Sequence, residues 1–230
     1  MSKESKILTA VLVAVVGGMI GLFAFANQSS DSGPKPSGDP TKIIRDTTEK
    51  RGSGSVQLVE YGDFQCPACG AAEPNVQRIL QEYEGKVTFY FRNFPLTQIH
   101  KNAIAAHNAA AEAGEQGKFW EFHDKLYAAQ KEWSDLADPT DKFVEYAKAL
   151  NIDSEKVRTA IDKEKYKSLI DQDVADGTAL NVQSTPTFFI NGSQVTGGYT
   201  YENLKAAVDK ALGTAPSPAA PAVSASPAAQ

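Results

Sequence analysis

Residues 56–70 read VQLVEYGDFQCPACG, an apolar run followed by two cysteines three positions apart. The run over 56–61 predicts a buried strand, and the proline after the first cysteine favours a helix that begins there. A helix N-terminus presents free N–H groups and partial positive charge, so we expect Cys66 to be a thiolate. Cys69 would lie one turn further along the helix, close enough for the two sulfurs to form a disulfide. This stretch therefore predicts a redox-active cysteine pair.

The composition suits one soluble domain. The 230 residues include 23 Lys+Arg and 28 Asp+Glu, for a formal charge of −5, and 42% are hydrophobic. This mildly acidic balance, with no long basic run, argues against a nucleic acid partner. Two cysteines are too few for a disulfide framework or for the common four-cysteine zinc site. Whatever chemistry the cysteines perform, they perform as one pair.

The N-terminal segment predicts export. Residues 7–26 carry no charge, and about 20 apolar residues are enough for a helix to cross a bilayer. Lys3 and Lys6 precede this segment and Asp31 follows it, so the positive-inside rule places the rest of the chain outside the cytoplasm. The AFA pattern at 24–26 is typical of a signal peptidase site and leaves cleavage open as an alternative to an anchor. In either case a disulfide can persist in the compartment of the domain.

The chain divides into four parts. Residues 1–26 are predicted to be a transmembrane anchor or signal, and 27–40, rich in Ser, Gly and Pro, a flexible linker. Residues 41–213 form the working domain, and 214–230 are a Pro, Ala and Ser tail that we expect to be disordered. Within the domain, the apolar residues over about 100–180 recur at the spacing typical of helices.

Strand signals flank this helical block. A second apolar run at 87–91 completes a βαβ unit with the first strand. After the block, 187–190 (TFFI) and 193–195 flank Asn191-Gly192, a dipeptide that favours a two-residue hairpin turn. A last helix is predicted over 201–212. The pattern predicts an α/β fold of βαβ and ββα halves that form one sheet, with a helical domain inserted between them.

The cysteine pair has two alternative interpretations. A purely structural disulfide closing so short a loop would add little stability. The pair could also be half of a zinc site completed by His100, His107 or His123. Nothing in the sequence places these histidines near the cysteines, and we interpret them as structural. The sequence indicates neither a metal nor a cofactor.

Three acidic residues lie near the pair in sequence. Glu60 lies in the apolar strand, where burial would raise the pKa of its carboxyl and let it relay protons from Cys69. The alternative is that Glu60 lies on an edge strand and is solvated. Asp63 and Glu73 are expected nearer the loop and the exposed helix face. A proton relay depends first on distances and only then on pKa, so the sequence does not rank these three residues as relay groups.

Three segments resemble the DsbA-like thioredoxin-fold oxidoreductases, in particular their membrane-tethered bacterial branch. They are RGSGSVQLVEYGDFQCPACG at 51–70, GKFWEFHDKLY at 117–127 and STPTFFINGSQVTGGY at 184–199. The match extends over about 39–212 and excludes the linker and the tail. It implies a thioredoxin-like fold with an inserted helical domain.

The resemblance also implies roles for single residues. Thr185-Pro186, which the sequence alone leaves as an edge marker or a cis peptide, becomes a cis proline beside the Cys66 sulfur. Glu60 matches the buried acid of the family, and Glu73 a helix glutamate that relatives often carry. The predicted catalytic residues are Cys66, Cys69 and Glu60, and the predicted substrate-binding residues are Pro67, Ala68, Thr185 and Pro186.

The function implied is that of a thiol-disulfide oxidoreductase that forms disulfides in reduced exported proteins. It would be a single-pass protein of the cell membrane with its catalytic domain outside, or secreted or periplasmic after cleavage. A membrane partner of the DsbB-like or vitamin K epoxide reductase-like kind would reoxidise the pair. The rivals are a reductase or isomerase, and a non-catalytic binding or chaperone module with a structural disulfide. Because Ala68 stands where the most oxidising relatives carry histidine, we expect a less extreme potential.

Overall fold

The computed structural model describes residues 43–213. This part of the chain forms five strands and eight helices. In chain order they are β1 Glu49–Gly52, β2 Val56–Gly62, α1 Pro67–Glu82, β3 Val87–Asn93, α2 Ala103–Glu115, α3 Phe119–Ala128, α4 Gln130–Trp133, α5 Thr140–Ala149, α6 Ser154–Asp162, α7 Lys167–Ala179, β4 Thr187–Ile190, β5 Ser193–Gln194 and α8 Tyr201–Ala211.

The strands form one mixed sheet in the order β1-β3-β2-β4-β5. Strands β2 and β3 are parallel, as the crossover through α1 requires, and the other neighbours are antiparallel. The central strand is β2, which is buried along almost its whole length. Both faces of the strand are therefore covered from Leu58 onwards, which explains why the successive residues Leu58 and Val59 are both apolar.

Helices α1 and α8 pack on one face of this sheet. Their apolar side chains form a buried cluster with alternate residues of the central strands. The cluster includes Val56, Leu58, Val76, Ile79, Phe89, Phe188, Leu204 and Val208. Helix α1 is thus held at its apolar face along its length, which fixes the position of its N-terminus at the end of β2.

The six helices α2 to α7 lie between β3 and β4 in the sequence. They have their own aromatic core, in which Trp133, Phe122 and Phe143 are fully buried. The same buried cluster includes Cys66 and Cys69, so the inserted helices cover the cysteine pair directly. The order of βαβ, helices and ββα is the one that the sequence predicts.

The hairpin between β4 and β5 turns at the predicted dipeptide. Asn191 and Gly192 have φ values of 46° and 83°, the left-handed conformation that this turn needs at both positions. The last helix begins at Tyr201, where Thr200 Oγ1 accepts a hydrogen bond from the amide of Asn203 at 3.3 Å. Both predictions are confirmed, with the helix ending one residue earlier than expected.

Strand β1 is absent from the sequence-based prediction. Its residues Glu49–Gly52 read EKRG and include no apolar side chain, so neither an apolar run nor an alternation marks them. The strand forms because it pairs with β3, from Glu49 opposite Phe91 to Gly52 opposite Thr88. Tertiary pairing therefore overrides the weak local preference here.

The predicted anchor or signal, the linker and the tail lie outside the described residues. Between residues 43 and 213, every helix is too short or too polar to cross a bilayer. The assignments of these three segments as an anchor or signal, a linker and a tail remain predictions.

Candidate active site

The cysteine pair lies where β2 passes into α1. Cys66 is the N-cap of α1, with an extended backbone (φ −69°, ψ 120°), and Pro67 follows in the first turn of the helix. The amide of Cys66 donates to the carbonyl of Asp63 at 3.0 Å, which closes the turn between strand and helix. Both cysteines are free thiols in this structure, and Cys66 is 6% and Cys69 1% exposed. The predicted start of the helix is confirmed.

The Cys66 sulfur contacts the start of β4. The Thr185–Pro186 peptide bond is cis, as the resemblance implies, and the Thr185 carbonyl oxygen lies 3.5 Å from Cys66 Sγ. A hydrogen bond with the Cys69 thiol does most to lower the pKa of the Cys66 thiol, against the effect of burial. Thr185 and the backbone amides of Ala68 and Cys69 lower it further, to about 5.

The Cys69 thiol is shifted in the opposite direction. Burial raises its pKa most, followed by the hydrogen bond to Cys66 and the nearby Glu60 carboxyl. The amide of Asp63 donates to Cys69 Sγ at 3.5 Å, which opposes this shift in part. One thiol of the pair is therefore ionised at neutral pH while the other holds its proton.

Glu60 is buried in the central strand of the sheet. It is 1% exposed and pairs with Phe91 of β3 on one side and Phe188 of β4 on the other. The alternative interpretation, a solvated residue on an edge strand, is therefore wrong. Gly62, two positions along on the same face, leaves room for the carboxyl, since a Cβ there would lie 2.9 Å from Glu60 Oε1.

The environment of Glu60 favours its neutral form. Burial raises the pKa of the carboxyl well above its usual value, and the charges of Glu73 and Cys66 raise it further. A hydrogen bond with the Cys69 thiol acts in the opposite direction. In the described part of the chain, Glu60 Oε1 has no hydrogen-bond partner. A protonated carboxyl next to Cys69 can act as a proton donor.

Asp63 lies in the loop between β2 and α1, as expected, but it is not exposed there. Its side chain is fully buried and accepts hydrogen bonds from the amides of Gln65 and Leu96, both at 2.8 Å. His100 Nδ1 lies 2.6 Å from Asp63 Oδ2. Asp63 therefore joins the turn before Cys66 to the segment that follows β3.

Glu73 is also buried, at 8% exposure, and the expectation of an exposed helix position is wrong. It lies on the side of α1 that faces α3, where Gln77 Nε2 donates to Glu73 Oε1 at 2.5 Å. Burial raises the pKa of its carboxyl, with His123 and Gln77 acting against this and Asp124 adding to it. The inserted helices bury this residue. The periodicity of α1 alone does not predict that burial, because it carries no information about those helices.

The three histidines lie around the turn between β2 and α1, a location that nothing in the sequence indicates. Besides the contact of His100 with Asp63, the rings of His107 and His123 pack on Phe64 with centroid distances of 4.8 and 5.5 Å. Burial lowers the pKa of His107 to about 4, so this side chain is neutral at pH 7. Their role in packing agrees with the structural interpretation of these residues.

Gln130 is a positioning residue that the sequence does not reveal. Its Nε2 donates to the carbonyl oxygens of Phe64 at 2.8 Å and Cys66 at 2.9 Å. Because it lies in α4, 64 positions from Cys66, no local motif marks it. The inserted helices thus hold the backbone of the turn between β2 and α1, the active turn, and also cover it.

Three side chains near the pair have the donor set of a metal site. The ligand atoms of Glu73, His123 and Asp124 lie within 4.8 Å of one another. However, both carboxylate oxygens of Asp124 accept hydrogen bonds from Arg51, at 2.9 and 2.8 Å. A fixed guanidinium next to the cluster disfavours a second cation, so we interpret Asp124 as an ion-pair residue.

Comparison with known proteins identifies the family. The sequence model of the thioredoxin family matches residues 52–210, which contain strands β2 to β5, the cysteine pair and the inserted helices. The chain belongs to the thioredoxin family. Its fold is the thioredoxin-like α/β fold with inserted helices that the sequence predicts.

Two curated relatives differ greatly in length. Na⁺/H⁺ antiporter NhaA 3 of Salinispora tropica is 40% identical over 176 residues, 76% of this chain and 26% of the antiporter. The chain thus spans about a quarter of the length of that relative. The "Probable disulfide bond formation protein D" of Bacillus anthracis is 29% identical over 216 residues, 90% of this chain and 94% of that protein.

A solved structure specifies the type within the family. Oxidised BdbD from Bacillus subtilis is 26% identical, with a TM-score of 0.66 over 72% of this chain and 93% of BdbD. Together with the family match, this places the domain among the DsbA-like thiol-disulfide oxidoreductases with a CxxC pair. The resemblance drawn from the sequence is confirmed at this level.

Proposed function

We propose that this protein is an extracytoplasmic oxidase that introduces disulfides into reduced exported proteins through Cys66 and Cys69. The observation that carries the proposal is the position of the Cys66 sulfur, at the N-cap of α1 and 3.5 Å from the Thr185 carbonyl oxygen. In this environment the pKa of the Cys66 thiol is lowered to about 5. This value lies between those of the strong oxidant DsbA, about 3.5, and of thioredoxin, about 7. A stabilised thiolate favours the reduced form of the pair, so its disulfide form readily oxidises other thiols.

The reaction consists of two exchanges. A substrate thiolate attacks the Cys66 sulfur of the disulfide form, so a mixed disulfide forms and Cys69 leaves with the electron pair. Because the pKa of Cys69 is raised, the leaving thiolate takes a proton, which Glu60 is placed to donate. A second substrate thiolate then attacks the substrate sulfur and releases Cys66 as a thiolate. The substrate loses two electrons, and the pair gains them.

The surface around Cys66 suits an extended substrate. Pro67 is exposed, Ala68 and Pro186 are half-buried, and Thr185 is buried beside the sulfur. We assign the substrate-binding role to these four residues. A substrate strand that aligns with the backbone at Thr185 would bring its cysteine to Cys66, which is 6% exposed against 1% for Cys69.

Location and partners follow from the same proposal. An uncharged segment at 7–26 would anchor the domain outside the cytoplasm, or be removed after export. Reduced exported proteins would be the substrates there. A membrane partner of the DsbB-like or vitamin K epoxide reductase-like kind would return the pair to the disulfide form, since each turnover leaves it reduced.

The equilibrium reduction potential of the pair, titrated against glutathione, tests the proposal. We expect a value between about −120 and −200 mV, at which the disulfide passes to a folding substrate. A value of about −270 mV would indicate a reductase. A disulfide that resists reduction even below about −300 mV would be a structural one. Either of these two results would reject the oxidase.

Single cysteine variants identify the role of each sulfur. Cys69→Ser should accumulate a mixed disulfide with a model protein that contains a disulfide, because the Cys66 thiolate attacks that disulfide, releases one substrate thiolate, and has no resolving sulfur beside it. Cys66→Ser should form none, since Cys69 is 1% exposed and its thiol keeps its proton. Exchange by Cys66→Ser at the rate of the wild type would show that the nucleophile has been misassigned.

A further inference from the structure

Asp63 is a residue of the active turn that contacts both cysteines. Its carbonyl oxygen accepts a hydrogen bond from the amide of Cys66 at 3.0 Å, and its own amide donates to Cys69 Sγ at 3.5 Å. Both contacts are made by the backbone, so they depend on the orientation of the peptide groups on either side of Asp63. Whatever holds Asp63 in place therefore affects the surroundings of both sulfurs.

The side chain of Asp63 is held by the segment that follows β3. Asp63 Oδ2 accepts a hydrogen bond from the amide of Leu96 at 2.8 Å and lies 2.6 Å from His100 Nδ1. Because a carboxylate oxygen accepts hydrogen bonds, Nδ1 carries the proton of this contact. The amide of His100 in turn donates to the carbonyl oxygen of Leu96 at 3.0 Å. Leu96 and His100 are thus the two ends of a short turn that closes on the Asp63 carboxylate.

A second histidine faces the same carboxylate but does not bind it. His107 Nε2 lies 4.0 Å from Asp63 Oδ1, beyond hydrogen-bond distance, and has no partner among residues 43–213. Burial lowers the pKa of His107 to about 4, so its ring is neutral at pH 7 and does not balance the charge of Asp63. The side chain of Asp63 is 0% exposed, so water does not reach it freely. Without His100, a buried carboxylate would lose one of its partners, which is costly, and the turn would shift to regain one.

We propose that His100 is a positioning residue of the exchange: through Asp63, it keeps a backbone amide directed at the Cys69 sulfur as that sulfur leaves the disulfide. This inference rests on the proposed exchange at the cysteine pair and adds a residue to it. In the first exchange the substrate sulfur bonds to Cys66, the bond between Cys66 and Cys69 breaks, and Cys69 leaves with the electron pair. A donor already directed at the atom where negative charge develops stabilises the transition state without having to reorient.

The same contact favours the reduced form of the pair at equilibrium. Both cysteines are free thiols in this structure, so the hydrogen bond from the Asp63 amide to Cys69 Sγ is a contact of the reduced pair. This hydrogen bond lowers the pKa of Cys69, against the effect of burial. A turn released from His100 would weaken the contact, and the reduced pair would lose stability relative to the disulfide. His100 therefore makes the pair more oxidising.

The test compares substitutions of His100 in the full chain. His100→Phe keeps a ring but removes the donor, and the ring lies at the edge of the core, where the side chain is 13% exposed. His100→Asn places an amide nitrogen the same number of bonds from the backbone as Nδ1, so it can still donate to Asp63 Oδ2. His100→Leu also lacks a donor, and it replaces the phenylalanine variant if that variant does not fold.

We expect His100→Phe to be a weaker and slower oxidant than the wild type. Its equilibrium with glutathione should shift about tenfold towards the disulfide, which corresponds to about 30 mV for two electrons. Its reduction by dithiothreitol in a single turnover should slow by about tenfold, because the amide no longer points steadily at the leaving sulfur. His100→Asn should restore both quantities to within about threefold of the wild type, since it keeps the hydrogen bond to Asp63.

The matched control is Tyr83→Phe, at the other end of α1. The hydroxyl of Tyr83 also donates to a buried carboxylate, that of Asp209, so this variant likewise removes one hydrogen bond from a buried acid. Thermal unfolding measures the loss of stability in each variant. Tyr83 is the C-cap of α1, whereas the cysteines lie at its N-terminal end. The equilibrium and the rate of Tyr83→Phe should therefore match those of the wild type even where its melting temperature falls.

The outcomes separate this inference from the proposed function. An unchanged equilibrium and rate in His100→Phe would overturn the role of His100. Equal losses in His100→Phe and His100→Asn would also overturn it, because the donor would then not matter. Losses of the same size in Tyr83→Phe would overturn it as well, because they would reflect general destabilisation. A wild-type disulfide that neither glutathione nor dithiothreitol reduces would instead reject the exchange itself.

Discussion

The carbonyl oxygen of Thr185 lies 3.5 Å from the sulfur of Cys66, although 119 positions separate the two residues. The sheet brings them together, because β2 and β4 are antiparallel neighbours with Tyr61 opposite Thr187. The end of β2 and the start of β4 therefore meet at one edge. The environment that stabilises the Cys66 thiolate exists only once both halves of the fold have formed.

The reactivity of Cys66 should reflect its low pKa. We expect the rate of alkylation by iodoacetamide to rise with a midpoint near pH 5, the pKa to which the Cys66 thiol is lowered. Ultraviolet absorbance of the thiolate should follow the same curve. In Cys66→Ser, the remaining thiol of Cys69 should stay unreactive at neutral pH. A midpoint close to that of free cysteine, about 8.5, would contradict the assignment.

The same shift predicts how the stability of the reduced form depends on pH. The folded pKa of Cys66 is below its unfolded value, so its stabilisation is fully present above about pH 8.5 and is lost as pH falls towards 5. The free energy of unfolding of the reduced form, relative to the oxidised form, should rise by at most about 1.4 kcal/mol per pH unit across this window. Denaturant titrations of both forms measure it, and a difference independent of pH would oppose the shift.

Local signals in the sequence account for much of what was predicted correctly. The apolar run of β2, the proline at the start of α1 and the Asn191-Gly192 turn each act over a few residues, and the structure confirms all three. Such features depend on backbone preferences that neighbouring residues set. The cis bond before Pro186 required the family resemblance, because the dipeptide alone permits either isomer.

The dipeptide between the cysteines should tune the potential. Ala68 is half-buried in the first turn of α1 and is neutral, so Ala68→His would add a positive charge beside the Cys66 thiolate. We expect the variant to be more oxidising than the wild type by at least about 30 mV, or roughly 1.4 kcal/mol for two electrons. The wild type should lie below the value of DsbA, about −120 mV.

Ala71→His is the matched control for this substitution. Ala71 is exposed on the same helix, outside the dipeptide, and a histidine there introduces the same side chain further from the Cys66 sulfur. Its potential should stay near that of the wild type. Equal shifts in both variants would mean that net charge, and not the position within the dipeptide, sets the potential.

Replacement of the buried acid Glu60 should slow the thiol-disulfide reaction and at the same time stabilise the folded domain. Glu60→Gln keeps the shape but removes the proton donor, so protonation of Cys69 should slow while the Cys66 mixed disulfide still forms. Because the folded pKa of Glu60 is raised, the wild type loses stability as pH rises above about 4.3, the unfolded value. The variant should therefore be more stable than the wild type at pH 7, and this advantage should disappear near pH 4.

Thermal unfolding at the two pH values and stopped-flow kinetics across pH measure these effects. Glu82→Gln is the control, since Glu82 is an exposed residue paired with Lys205. Kinetics of Glu60→Gln that match those of the wild type at every pH would remove Glu60 from the proton path.

The features that the sequence did not reveal depend on contacts distant in the chain. Glu73 appears exposed when α1 is considered alone, and it is buried because α3 packs against that side of the helix. Gln130 supports the active turn from α4, and β1 exists through its pairing with β3. In each case the decisive partner lies in another element, so periodicity and local motifs carry no information about it.

The buried ion cluster that joins α7 to the sheet should be decisive for stability. Arg92 is fully buried, and its guanidinium donates to Asp173 and Asp176, both at 2.8 Å. Arg92→Met would leave two buried carboxylates without this partner, and we expect a loss of about 3–5 kcal/mol in the free energy of unfolding. Arg158→Met is the control, because the pair of Arg158 with Asp141 is exposed and should contribute less than about 1 kcal/mol. Urea titrations of the reduced domain measure both, and equal losses in the two variants would show that burial of the cluster carries no special energetic weight.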